Sequence, residues 1–509
     1  MSDLVTSSIG VQAGREIKGR EREYGAVLWK QPHLLDLSYA ELEEKNLEVK
    51  MRRLAGVPAD EMRAEFLDYL SREAGIKCVT VCFSDLEGRL HTLDYDRKFI
   101  IGAEDNLTFD GSSIKGFTDL AQSDLRLKVD WGTFRWLPAD LFGAGKVLVF
   151  GNVCNRDGSL YESDFRALLH SFSAELSAQG LLVNVAPEVE GFLFDGLKAE
   201  QIFDEEKGFE LATMSGYFSS LPQDTLRLFI DKFAEVKRAL AFENEKDHPE
   251  VAPAQFELNF KYCMALETAD QIQLYKFLAR QVANSMGYTA SFLPKPIQTL
   301  NGSGMHMNMS ISNDGKNSFY DADDSLSLSA VARRFVTGIL YYANDLCLIM
   351  NSSVNSYRRL DPNYEAPNAI KFSAVDRGSM IRIPVGNEKS ARIEVRTVAP
   401  DANPYMCIFS LVKAGLAGIK ASDDRIMEME KEVYGSEVDI LPSNIYEALG
   451  CFGRSDFMRE ILGEDNHLKY MELKEWAADR SPKALGTKVK KREVLDHHEV
   501  TNQFIKGGF

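Results

Sequence analysis

The sequence predicts an α+β protein, and three observations predict it. Blocks of strand-like residues are separated by long amphipathic helices, a pattern that sets helices against one face of a sheet. Four distant segments alternate apolar residues with Glu, His, Asn or Arg at the period of a strand. The chain also changes character near residues 75 and 158, which divides it into a helical extension (1–74), a small sheet domain (75–157) and a large domain with a helical tail (158–509).

Taken in order, Met1 to about Gln31 show no period and read as a flexible arm. Leu34 to Glu73 is strongly charged with a helical period, which puts Leu42, Leu47 and Met51 on one side of a glutamate-rich helix. Lys77–Phe83, Leu90–Leu93 and Val147–Phe150 read as short strands joined by turns. Tyr161–Gly180 opens the large domain with a helix; further long helices are expected over Asp224–Ala241, Thr268–Met286, Ser327–Met350 and Tyr405–Ala421. From about Asn444 the chain is helical, then ends in a polar tail with Lys488, Lys490, Lys491 and Arg492.

Composition narrows the function classes. A 509-residue chain with 45% hydrophobic and 27% charged residues is an ordinary globular protein with a large core. Its net charge of −17 argues against non-specific binding to nucleic acid or to an anionic membrane. No apolar run approaches the roughly 18 residues of a membrane span. The basic N-terminus lacks the apolar stretch of a secretory signal. Seven scattered cysteines suit a reducing compartment, and Cys78 and Cys82 read as core residues rather than a redox pair. A cytoplasmic protein is expected.

The polar faces of the four period-two segments carry the chemistry. In Pro187–Asp195, Glu188 and Glu190 point the same way with Val189 opposite, and two like charges that close call for a cation between them. The plainer alternative is an edge strand whose glutamates face water. Gln255–Phe260 repeats the pattern with Glu257, Met305–Ser310 with His306, Asn308 and Ser310, and Arg392–Arg396 with Glu394. Glu250 lies just upstream of the second, and Pro253 forbids one continuous helix between the two acids. Glu188, Glu190, Glu250, Glu257, His306 and Glu394 form a set of hard oxygen donors with one imidazole. That set suits Mg²⁺ or Mn²⁺ better than structural zinc, and it exceeds what one Mg²⁺ needs.

Arg358, Arg359, Arg377, Arg382, Arg392 and Arg396 crowd a short span of this acidic chain. Guanidinium forks match phosphate and carboxylate oxygens, although one or two of these are expected to pair with the glutamates just named. Metal-binding acids beside such arginines point to phosphoryl transfer from a nucleotide. The sequence has no P-loop and no kinase signature, so the nucleotide is held another way. Asn301-Gly-Ser-Gly304 is either a backbone loop for substrate or a turn before the next strand.

Seven motifs in order give the chain a resemblance to type I glutamine synthetases, over roughly Gly75 to Gly463. They are Asp110-Gly-Ser-Ser113, the paired-glutamate strand, Gly216-Tyr-Phe218, Asn301-Gly-Ser-Gly-Met-His306, Asn355-Ser-Tyr-Arg-Arg-Leu360, Tyr364-Glu-Ala-Pro367 and Arg392-Ile-Glu-Val-Arg396. The resemblance implies a small β-grasp domain followed by a catalytic domain whose antiparallel, partly barrel-like sheet is backed by helices. It also implies a dodecamer of two hexameric rings, in which the small domain of one chain closes the catalytic cavity of its neighbour.

The resemblance further implies ATP-dependent joining of ammonium to L-glutamate, with two or more Mg²⁺ or Mn²⁺ ions. Glu190, Glu250 and Glu257 would hold the metal nearer the amino acid; Glu188, His306 and Glu394 would hold the one at the ATP phosphates. Arg359 and Arg396, with Asn301 and Gly302, would bind substrate. Arg377 and Arg382 would stabilise the phosphates, Arg377 catalytically, and Asn308, Ser310, Lys389 and Arg392 would complete the ATP site. Asp110, Ser113 and Tyr217 match the ammonium site, and Glu365 matches a flap that shields the intermediate. Two positions depart from the family pattern: Asn308 stands where a second histidine is common, and Pro249 replaces a histidine before Glu250. Val433-Tyr-Gly-Ser436 does not resemble an adenylylation motif. The intact Asp110 favours ammonia as acceptor over an organic amine such as a polyamine or ethanolamine. A non-catalytic family member would tend to lose charged ligands, and every ligand position here is filled.

Overall fold

The structure, a computed structural model, describes residues 37–479 apart from 119–122, 205–206, 221–223, 362–363, 365 and 436. The expected N-terminal arm, the basic tail and Glu365 lie outside the described residues.

The extension forms two helices, α1 (Tyr39–Leu54) and α2 (Ala59–Arg72). Ser38 and Glu41 cap α1 reciprocally, and Gly56 and Pro58 make the turn between the helices. The side that α1 buries is turned away from part of the expected one: Leu42 is buried and Leu47 half-buried as expected, but Met51 is not. Met51 is 51% exposed, whereas Leu42, Asn46, Val49 and Lys50 are buried. The reason is polar: Asn46 donates to the carbonyls of Trp136 and Ala239 at 3.0 and 2.6 Å, and Lys50 donates to the carbonyl of Ala241 at 3.2 Å. These bonds fix the rotation of a helix whose apolar stripe is too thin to fix it alone.

A five-stranded sheet follows. β1 (Cys78–Ser84) and β2 (Leu90–Asp96) form a hairpin; β3 (Leu107–Asp110), β4 (Asp124–Trp136) and β5 (Lys146–Cys154) complete the order β2-β1-β5-β4-β3. β1 and β5 run parallel and are buried nearly throughout, as the apolar runs around Val81 and Val149 require. All seven cysteines are free, and Cys82 is a buried core residue.

The second sheet has ten strands. After α3 (Phe165–Ala178) come β6 (Leu181–Asp195), α4 (Thr225–Ala239), β7 (Asn244–Pro249), β8 (Gln255–Phe260), β9 (Cys263–Met264), α5 (Ala265–Ser285), β10 (Tyr288–Ser291), β11 (Met305–Asn313) and β12 (Lys316–Asn317). The edge is made by β13 (Ala369–Ser373), β14 (Ser379–Arg382) and β15 (Ile393–Val395). The main path is β13-β14-β15-β11-β6-β8-β7, antiparallel at each pairing except β13 with β14. α5 backs this sheet: Thr268 and Tyr275 donate to the carbonyls of Val185 and Val189, both at 3.0 Å. Val189 is therefore on the packed face, and Glu188 and Glu190 are on the other.

The helix expected over Ser327–Met350 is two helices, Ala330–Tyr341 and Ala343–Met350. They part at Tyr342, whose ring stacks on Phe457 at 3.8 Å. Among the described residues no helix is long and apolar enough to cross a membrane.

Candidate functional site

Strand register assembles the site. Glu188 on β6 pairs with His306 on β11, Asn308 pairs with Glu394 on β15, and Glu190 pairs with Glu257 on β8. Cross-strand neighbours on one face have Cβ atoms about 5 Å apart, so four segments far apart in sequence bring their acids to one surface. They line a cavity of about 180 Å³. Glu188, His306 and Glu394 offer donor atoms within 4.8 Å of one another, and so do His248, Glu250 and Glu257. Glu190 adjoins both groups, with Oε1 3.9 Å from His306 Nε2 on one side and Glu257 opposite it on the other. Its Oε2 accepts from the Gly304 N–H at 2.9 Å and from Gln255 at 3.3 Å.

Guanidinium groups close one side. Arg382 Nε lies 2.7 Å and Arg396 Nε 3.1 Å from the Glu394 carboxylate, so two of the arginines pair with this acid. Arg359 is buried and anchors its fork on backbone, donating to the carbonyls of Arg396 and Thr397 at 2.9 and 3.3 Å. The Asn301–Gly304 loop runs against it so closely that a Cβ on Gly302 would stand 2.9 Å from Arg359 Cγ and 2.5 Å from the Pro294 carbonyl. A Cβ on Gly304 would meet Arg359 and the His306 ring at 2.5 and 2.9 Å. These two glycines are present because the cavity wall has no room for a side chain.

The electrostatics suit cations. Burial, and then Glu190 and Glu257, push the Glu250 carboxyl up to about 8. Burial, with Glu257 adding to it, also raises Glu190. Burial would raise Glu188 too, but its hydrogen bonds with His306 and Asn308 hold it down to about 2. His306 is raised because the surrounding carboxylates outweigh its burial. Five glutamates and two imidazoles in one hollow repel unless divalent ions fill the gaps, and hard oxygen donors with single imidazoles fit Mg²⁺ or Mn²⁺.

Known proteins resemble this chain in sequence and fold. The model of "Glutamine synthetase, beta-Grasp domain" matches residues 75–156, and that of "Glutamine synthetase, catalytic domain" matches residues 162–489. The chain belongs to the glutamine synthetase family. The glutamine synthetase of Clostridium saccharobutylicum is 36% identical over 424 residues, 80% of this chain and 93% of that protein. That of Thermotoga maritima is 34% identical over 452 residues, 85% of this chain and 99% of its own. Among solved structures, the cryo-EM structure of Plasmodium falciparum glutamine synthetase superposes with a TM-score of 0.74 at 23% identity, over 86% of this chain and 98% of that one. A GmaS/ADP complex gives 0.70 at 26% identity, over 84% and 99%. The five-stranded sheet is thus a β-grasp domain, and the ten-stranded sheet is the curled half-barrel of a glutamine synthetase-family ligase.

The residues singled out from sequence fall into four groups. Glu188, Glu190, Glu250, Glu257, His306, Glu394, Tyr217, Asn301, Gly302, Arg359, Arg377, Arg382 and Arg396 all line the cavity. Asn308 and Arg392 sit one layer behind, hydrogen-bonded to Glu188 and to each other. Ser310, Lys389 and the exposed Arg358 lie outside the lining; Lys389 is held in a turn by its N–H to Asn387. Asp110 and Ser113 are on the β-grasp domain, bonded to each other at 2.6 Å and away from this chain's own cavity.

Sequence reading missed His248, Lys246 and Gln255, which also line the cavity. His248 lies 3.5 Å from Glu250 and 3.4 Å from Glu257. Part of the signal is local, since His248 and Glu250 share a face two residues apart; the other part, the pairing of His248 with Glu257, is set by register between strands.

Proposed function

We propose that this chain ligates ammonia to the γ-carboxylate of L-glutamate at the expense of ATP, through a γ-glutamyl phosphate, giving L-glutamine, ADP and phosphate. The observation that supports it most is the pair of acid and imidazole clusters facing buried arginines in one cavity. A carboxylate has no adequate leaving group, so its oxygen first attacks the terminal phosphorus of ATP and ADP departs. Ammonia then adds to the acyl carbon, phosphate leaves with the C–O electron pair, and the surplus proton passes to a carboxylate.

Divalent Mg²⁺ or Mn²⁺ ions, two or more, held by Glu188, His306 and Glu394 and by Glu190, Glu250 and Glu257 with His248, would supply neutralisation of the phosphate charge. Arg359 and Arg396 grip the glutamate carboxylate and the transferring group; Arg377 and Arg382 stabilise the phosphates. Gly302, with Asn301, leaves the substrate amino end access to the loop backbone. Asp110, Ser113 and Tyr217 bind ammonium and take its proton, and Glu365 closes over the intermediate against water. Asp110 is carried away from its own chain's cavity, which supports the assembly expected for the family: two hexameric rings in which one chain's β-grasp domain completes the next chain's site. Asn308, Ser310, Lys389 and Arg392 are assigned to the ATP side, and the enzyme is placed in the cytoplasm.

Coupled ADP release with glutamate and Mg²⁺ tests the reading, comparing ammonium with ethanolamine and a polyamine. ADP release that rises with ammonium supports it; release that rises with an amine and not with ammonium overturns the choice of acceptor.

A further inference from the structure

A second cavity, of about 430 Å³, lies at the junction of the two sheets. It is bounded by the β1–β2 turn (Glu87–Leu90), α5, β10 and the segments around Ser353 and Asp401. Its size falls in the usual range for small-molecule sites. The junction is a fixed structure: Gln273 on α5 donates to the Gly88 carbonyl at 2.8 Å and to Ser84 at 3.0 Å, and Asn403 donates to the Leu86 carbonyl at 3.1 Å.

Its lining is cationic in a chain of net charge −17. Arg89, Lys115, Lys198, Lys276, Arg280 and Lys474 face it, against Glu87, Glu200 and Asp401. Each of those acids is engaged, Glu200 attracting Arg280. Glu87 is clamped by Lys115 at 2.8 Å and Lys474 at 2.7 Å, and Asp401 accepts from the Ser353 and Ser356 hydroxyls. Lys276 is the anomaly. It is 7% exposed, lines the cavity, and has no ion-pair or hydrogen-bond partner among the described residues. An ammonium taken out of water without a partner is costly, and burial together with neighbouring Arg280 pushes it down to about 8. Arg280, one helical turn along α5, lies over the Phe292 ring at 5.2 Å with its side chain open to the cavity. That stacking holds the guanidinium in place for a ligand. No residue of the metal and arginine site lines this cavity.

We propose that the cavity between the β-grasp and catalytic sheets binds a small multivalent organic anion, a phosphate ester or a dicarboxylate, with Lys276 and Arg280 as its principal partners and Lys198 at the rim. The buried Lys276, which has no hydrogen-bond or ion-pair partner among the described residues and only Asp401 near enough to attract it, decides this over a water-filled crevice, because six cationic side chains against three acids leave the lining with an excess of positive charge. The serine hydroxyls and aromatic walls beside it suit a metabolite better than a bare ion.

The test uses the assembled, full-length enzyme. Isothermal titration with sulfate, a tetrahedral dianion, and separately with succinate, a dicarboxylate, is run on wild type, Lys276→Gln, Arg280→Gln and Lys198→Gln. At least one probe is expected to bind once per chain, about tenfold more weakly in Lys276→Gln and Arg280→Gln and more modestly in Lys198→Gln, with ligase turnover without added anion unchanged. Sulfate alone identifies a phosphate-type ligand, and succinate alone a dicarboxylate. If Lys276→Gln does not fold, the solvent-facing Arg280→Gln and Lys198→Gln carry the test. Failure of both probes to bind wild type, or binding unaltered in the folded variants, overturns the proposal.

Discussion

Asn308 donates a hydrogen bond to Glu188 Oε1 at 3.0 Å, while its own carbonyl oxygen accepts from Arg392 Nε at 2.9 Å. The amide thus aims a candidate metal-binding carboxylate by tying it to a fixed arginine. Glu188's other oxygen is met by His306 at 3.1 Å, so both of its oxygens are oriented before any ion arrives. Such supporting bonds commonly matter 10–100-fold in metal affinity or activity. Asn308→Leu, which keeps the branched shape and removes both bonds, is expected to weaken Mn²⁺ binding by about tenfold or more. Titration of the metal-free enzyme measures this directly, and unaltered affinity would show that Asn308 serves the nucleotide alone.

Metal removal should destabilise the fold. Glu190, Glu250 and Glu257 are crowded enough that two of them are raised towards protonation, which is the signature of uncompensated repulsion. An ion that binds only the folded state adds about 2.7 kcal/mol at a hundredfold excess over its Kd. Chelation is expected to lower the thermal midpoint, and added Mg²⁺ or Mn²⁺ to restore it. Glu250→Gln combined with Glu257→Gln should leave the metal-free protein no less stable than wild type and shrink the increment that metal restores. A chelator that shifts the double variant as far as wild type would refute the placement of the ion.

Arg359 tests the grip on substrate. Its fork is held by the carbonyls of Arg396 and Thr397 and by the Gly302 and Gly304 backbone pressed against it. Lysine keeps the charge but not the two-pronged geometry, and it cannot reach both carbonyls from one nitrogen. Arg359→Lys is expected to lower kcat/KM for glutamate by about a hundredfold, roughly 2.7 kcal/mol, with most of the loss in KM for glutamate. The KM for ATP should move far less. Equal losses for both substrates would mean the arginine acts on the cavity wall as a whole.

The strands that carry the chemistry were readable because period two is a local signal: Val189 and Met307 reveal which way Glu188 and His306 point without knowledge of any partner strand. Register between strands is not local, which is why His248 was missed although its own face was legible. Its nearness to Glu250 is local, but only the pairing of His248 with Glu257 closes the cluster. The rotation of α1 was only partly legible for a related reason. Its rotation is set by Asn46 and Lys50 reaching the carbonyls of Trp136, Ala239 and Ala241, partners some 90 to 190 residues away, and an apolar stripe ending at Met51 could not foretell that. The break at Tyr342 likewise rests on Phe457. Asp110 is the opposite case: its motif was plain in sequence, and a single chain does not bring it to the cavity.

Lys237 gives the stability of this chain a pH dependence of defined sign. It is fully buried on α4, with the rings of Phe233, Phe260 and Tyr275 at 5.8, 5.6 and 5.5 Å, and its Nζ donates to the Leu258 carbonyl at 2.9 Å. Burial pushes its ammonium down to about 7, against the pull of Asp247 3.6 Å away. The folded pKa lies below that of the unfolded chain, so above pH ~7 the unfolded chain holds a proton that the folded one has released, up to the ordinary lysine range near ~10.4. Stability contributed by this group therefore rises with pH across that window, and below it the full cost of the buried charge is felt. Lys237→Met, paired with Asp247→Asn to avoid stranding the acid, removes the titration and fills the same apolar slot. The double variant should exceed wild type in urea midpoint most clearly at pH 6 to 7, by about 1–4 kcal/mol, the range found when buried ion pairs give way to apolar groups. The difference should shrink steadily towards pH 10. A gap that stays constant with pH would show that Lys237 keeps its proton throughout, with Asp247 fully compensating its burial.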